Sequence, residues 1–201
     1  MTARTTTKMP LTPLEVFYRT ARLKLPPFKV VDAAAVPEPY ARLLVHKGDM
    51  TPTLELYHGD TIHLRVLEKE LDGDTYSRQV VLLLDGTSRP VEYGAIRIDL
   101  SLFPTRGRKL ILQGRLPLGS VLRDLKLPHR SSPKAFFQVR PDKTICESLG
   151  VPCNGKRPPL LYGRRNALST VDGGVLAEIV EVLPPQAVDG KWSFKTHGQQ
   201  K

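Results

Sequence analysis

The stretch TYSRQVVLLLDG, residues 75–86, puts an arginine where a buried strand should be apolar. Side chains two apart in a strand share a face, so Arg78 falls in step with Val80, Leu82 and Leu84. An arginine on an inward face must be paired or must hold an anion. At the mouth of the strand it would instead snorkel to water. A planar guanidinium suits a carboxylate, to which it gives two parallel charge-assisted hydrogen bonds. The second candidate stands in VLAEIVEVL, residues 175–183. There Glu181 alternates with Val175, Ala177, Ile179 and Leu183, whereas Glu178 falls with Leu176, Val180 and Val182. Alternation leaves open which carboxylate is inside. Desolvation raises the pKa of a glutamate in an apolar setting, which suits it to donating or sharing a proton. Arg78 and Glu181 could equally pair with each other as a structural salt bridge.

Other chemistry is sparsely represented. Cys146 and Cys153, in CESLGVPC, have no second cysteine pair and no neighbouring histidine, so they read as two free, partly buried thiols. His46, His58, His63, His129 and His197 show no metal-ligand spacing, and no GxSxG marks a serine nucleophile. The net charge of +10 raises the question of nucleic acid. Against it, the basic residues are spread along the chain, aromatics make up only 6%, and no RNP, KH or zinc-finger pattern occurs. Nucleic acid is therefore not the expected partner; an anionic small molecule is. No apolar run approaches the roughly 20 residues that span a bilayer. The N-terminus has no apolar core of secretory type, and a cytoplasmic location is expected.

The elements that must hold these residues follow from changes of period. Residues 1–40 are punctuated by proline and read as an arm wrapped on the domain. Helical spacing around Leu43 and Leu44 precedes a turn at Gly48-Asp49. MTPTLELYHG then reads as a short helix with Asp49 or Thr51 as its cap and Gly59 beyond its end. Residues 61–70, 77–85 and 91–99 alternate as strands of an antiparallel meander. A turn at Pro117-Leu118-Gly119 opens another short helix. KAFFQVR reads as a strand, KTICESLGV as a helix stopped by Gly150, and PPLLYGRRNALST as strand-like. The last strand is 175–183, after a turn at 172–174. Strands in series with inserted helices predict an α+β fold built on one antiparallel sheet.

Four segments in order, LLVHKGDMTPTLE (43–55), SRQVVLLLDG (77–86), LPLG (116–119) and LYGRRNALSTVDGGVLAEIVEVLPP (161–185), resemble the chorismate lyase family. The resemblance spans roughly residues 40–185, and the ligand-binding domains of GntR-type repressors share its fold. It implies an internal ligand cavity, a substrate-binding role for Arg78 and an active-site role for Glu181. Met50 and Leu118 match positions whose backbone contacts an aromatic acid, and Gly119 belongs to the same turn, whose N–H groups add donors. A second family arginine is absent, since its position reads Ala95. Arg97 is the nearest substitute, and Arg164 or Arg165 are further candidates for a second carboxylate.

The reading implied is a cofactor-independent lyase that cleaves chorismate to a hydroxybenzoate and pyruvate, needing no metal. Its expected organisation is an arm (1–40), a chorismate lyase-like domain (41–185) and a polar tail (186–201), with 48–58 and 116–126 covering the cavity. The alternative is a non-catalytic module of the same fold that binds an aromatic acid. The residues before the domain offer no convincing helix-turn-helix.

Overall fold

The computed structural model describes residues 11–153, 159–185, 187–188 and 191–192. Seven strands form one sheet: β1 (Phe28–Val31), β2 (Ile62–Asp72), β3 (Thr75–Leu84), β4 (Pro90–Asp99), β5 (His129–Val139), β6 (Leu161–Thr170) and β7 (Val175–Leu183). Their spatial order is β1-β5-β6-β7-β4-β3-β2, and every neighbouring pair is antiparallel. The expected α+β architecture is therefore present, with the last strand in the middle of the sheet. The β2–β3 hairpin turns at Gly73, whose φ of +57° is a left-handed conformation that glycine adopts without a Cβ penalty.

Helices cover both faces. On one side, α1 (Leu14–Thr20) and α6 (Lys143–Leu149) pack against Val81, Leu83, Tyr93, Ala95, Val180 and Val182. On the other, α2 (Tyr40–Leu44) and α3 (Met50–His58) pack with Val80, Leu82 and Leu84. There too, α4 (Thr105–Gln113) and α5 (Leu118–Asp124) cover Ile96, Ile98 and Ala177. Burial on both faces explains the unbroken apolar run of β3, which is buried from Tyr76 to Leu84. The second face carries two separate apolar clusters, and the candidate site opens between them.

Several local expectations change. The arm, from residue 11, contributes α1 to the core and β1 to the sheet edge beside β5. Residues 105–113, basic in sequence, are helical because Ile111 is buried with Phe103 and Leu122. Cys146 and Cys153 are not free thiols but a disulfide, with Cα atoms 5.8 Å apart. Gly150, at φ +63°, turns the chain back after α6 and returns Cys153 to the helix's last turn. Most of the expected polar tail, 186–201, lies outside the described residues. Among the described residues no helix is long and apolar enough to cross a membrane.

Candidate functional site

Arg78 occupies the face that the alternation assigns it. Its side chain is 2% exposed and lines a cavity of about 60 Å³ with Val80 and Leu82. That space exceeds what one water needs. The strand register sets the floor: Arg78 lies opposite Ile96, and Ile96 opposite Ile179. One row along, Val80, Gly94, Glu181 and Arg164 lie side by side across four strands.

No carboxylate pairs with Arg78 among the described residues. Its Nη atoms donate to two backbone carbonyls, Leu116 at 3.2 Å and Ile111 at 3.5 Å, and its Nε has no hydrogen-bond partner. Burial lowers its pKa from the ordinary guanidinium value, with Tyr76 opposing that shift. Long bonds to uncharged carbonyls do not neutralise a buried cation.

Arg164 is the opposite case. It is fully buried, and its Nε donates to Glu181 Oε2 across the β6–β7 pair. Its Nη atoms donate to the carbonyls of Leu44, His46 and Gly48, each at 3.3 Å. Arg164 therefore ties the loop before α3 to the sheet. The close packing beneath depends on Gly163, where a Cβ would stand 2.3 Å from the Glu181 carbonyl oxygen and 2.6 Å from the Phe137 ring.

Two cavity groups escaped the sequence reading. Glu92 lines the cavity at 4% exposure, and its Oε2 has no hydrogen-bond partner. Burial pushes its carboxyl well above the usual range, the Glu181 charge adds to that, and Arg164 partly offsets it. Asn166 also lines the cavity, donating to Ser131 Oγ at 3.0 Å while its Oδ1 lacks a partner. Glu92 carries the same signal as Arg78, a charged residue in step with Gly94, Ile96 and Ile98 on a buried strand.

The cover consists of the N-terminal ends of α3 and α5. Met50, Leu118 and Gly119 all line the cavity, as does Asp49. A Cβ on Gly119 would lie 3.2 Å from Thr51 Oγ1, so the glycine permits the close approach of the two helices. Asp49 precedes α3 but makes no side-chain cap bond. Its carboxylate instead meets His129 Nε2 at 2.8 Å. Arg123 of α5 donates to Glu55 of α3 at 3.1 Å.

The structure thus brings Arg78, Glu181, Met50, Leu118 and Gly119 to one cavity. It does not pair Arg78 with Glu181. The choice between the two carboxylates falls to Glu181; Glu178 lies on the opposite face, bonded to Arg97 and Arg165. Arg97 and Arg165 are therefore not candidates for a second carboxylate, because alternation directs them away from the cavity. Arg164 is on the right face, but its donors are already engaged.

No family model matches the chain, and no curated protein matches it. Solved structures do. PhnF from Mycobacterium smegmatis has a TM-score of 0.52 at 12% identity, covering 71% of this chain and 66% of that one. The effector domain of PhnF from the same organism gives 0.51 at 12% identity, covering 71% of this chain and 91% of the domain. A GntR-family transcriptional regulator from Bacillus cereus gives 0.44 at 12% identity, covering 67% and 99%. The seven-stranded antiparallel sheet with its helices is thus a fold shared with the effector domain of PhnF and consistent with the UTRA-domain fold. This chain spans about two-thirds of the PhnF chain's length.

The likeness overturns the expectation of a lyase. The likeness found is to PhnF and to its effector domain, not to a lyase. Within the site, the glutamate expected to move a proton is held by Arg164.

Proposed function

We propose that the chain is a non-catalytic module that binds a small anionic molecule in the cavity beside Arg78, as an effector-binding domain does. One observation carries this reading: a buried guanidinium faces a cavity without a carboxylate partner. A cation in that setting is unfavourable until an anion reaches it, and the bidentate geometry of arginine suits a carboxylate. The walls from Leu64, Val80, Leu82, Ile96, Leu168 and Ile179 favour an apolar body, as concave ligand sites commonly do. Arg78 also bonds to the carbonyls of α4 and of the segment before α5. An anion that draws on its guanidinium would therefore act on the cavity cover.

The test is a thermal-shift and calorimetric survey of the intact chain with small aromatic and aliphatic carboxylates. Saturating acid should raise the melting temperature by mass action, and Arg78→Met should abolish the rise. Binding that is unchanged in the Arg78→Met variant would remove the reading, and so would release of pyruvate from chorismate.

A further inference from the structure

The cavity holds a second polar group with no role so far. Glu92 stands four residues along β4 from Ile96, the partner of Arg78 in the sheet, roughly 13 Å away in backbone terms. Its carboxylate shortens that span. A Cβ placed on Gly94 would lie 3.1 Å from Glu92 Oε1, so the carboxylate leans over the glycine towards the middle of the floor. Gly94 lies between Val80 and Glu181 in the sheet, and its missing side chain leaves the space the carboxylate uses. The other oxygen, Oε2, is buried without a partner. Arg164 does not bond to it, being committed to Glu181 and three backbone carbonyls.

A buried carboxyl oxygen without a hydrogen-bond partner is costly to the free protein whether or not it carries its proton, and a ligand that supplies the partner recovers that cost. We propose that Glu92 is a second recognition point in this cavity, and that the ligand is a bifunctional acid with an anionic group at Arg78 and a hydroxyl or amine hydrogen-bonded to Glu92. The inference rests on the anion-binding reading of Arg78 and adds the group required at the ligand's other end. Arg78 supplies attraction to any acid of suitable size. Glu92 supplies selection, because a site built to make a buried hydrogen bond discriminates strongly against an analogue that cannot share it.

The experiment is calorimetric titration of the intact chain with benzoate, 3- and 4-hydroxybenzoate and 4-aminobenzoate. Wild-type protein should bind the best donor-bearing acid about tenfold more tightly than benzoate. In Glu92→Leu that preference should vanish, because the hydrogen bond that sets it is lost. Arg78→Met should weaken all four acids alike. Equal wild-type affinity for benzoate and its donor-bearing relatives overturns the inference while leaving the role of Arg78 intact, and so does a preference that survives in Glu92→Leu. Should Glu92→Leu fold poorly, Glu92→Met serves the same comparison, because it too offers no strong hydrogen-bond partner, and the wild-type series needs no variant. If none of the acids binds the wild-type chain, the Arg78 reading fails and this inference fails with it.

Discussion

Glu181 accepts a hydrogen bond from Arg164 across the β6–β7 pair, and both side chains are buried. That pairing decides the roles of two arginines on one sheet face. Arg164 has its anion and also holds the carbonyls of Leu44, at the end of α2, and of His46 and Gly48 in the loop before α3. Arg78 meets no carboxylate among the described residues, which is why the proposed ligand is placed there.

Removing either member of the Arg164–Glu181 pair should therefore destabilise the fold. Glu181→Gln or Arg164→Met leaves a buried charge without its partner, a loss of typically about 3–5 kcal/mol. Urea unfolding measures it. The double variant Arg164→Met with Glu181→Leu should recover part of the loss, since no uncompensated charge remains; a fully additive double variant would show the two do not act as a pair.

The contact between Asp49 and His129 links the start of α3 to β5 and should make the cover pH-sensitive. Burial alone would lower the His129 pKa, but its hydrogen bond to the Leu127 carbonyl and the Asp49 carboxylate outweigh burial and raise it. A raised folded-state pKa means stabilisation fully present below the unfolded value near 6.5 and lost as pH rises through the folded value. Wild-type stability should fall relative to His129→Gln across that window. Parallel pH profiles for the two proteins would exclude the contact as a titrating link.

Glu92 should act with its own sign. Its folded-state pKa lies above the ordinary 4.5, so the folded chain keeps a proton that the unfolded chain releases. Stability therefore declines as pH rises from 4.5 towards the raised value. Glu92→Gln cannot ionise and should be the more stable protein above that range, with the difference shrinking under acid. Denaturation midpoints from pH 4 to pH 8 (about that span, set by ordinary carboxyl and histidine pKa values) measure the crossover.

The legible parts of the molecule were those written in period two. Alternation fixed the face of Arg78 through Val80, Leu82 and Leu84, and the meander β2–β3–β4 followed from the same pattern. The identical pattern is present at Glu92, in step with Gly94, Ile96 and Ile98. Arg164 and Arg165 are adjacent and so face opposite sides, but the sequence does not say which side carries the cavity. That was decided by α2 and α3 packing over β6 and β3. The disulfide was hidden because proximity of Cys146 and Cys153 requires the left-handed turn at Gly150. The lyase expectation came from a resemblance in motif order, and a shared fold does not by itself fix a function.

Pairing stability with binding separates a ligand-holding Arg78 from a structural one. Arg78→Met removes a buried cation that has no anion, so the ligand-free variant should unfold within about 1 kcal/mol of wild type. The same variant should lose binding of benzoate or its donor-bearing relatives by an amount typical of a buried charged contact, about 2–5 kcal/mol. Arg78→Lys should restore only part of that loss, since it keeps the charge without the two-pronged geometry. Calorimetric titration of the three proteins, with urea unfolding of each, gives both quantities. Lost binding with retained stability is the predicted result; an Arg78→Met variant that unfolds readily yet binds acids as wild type does would contradict the claim.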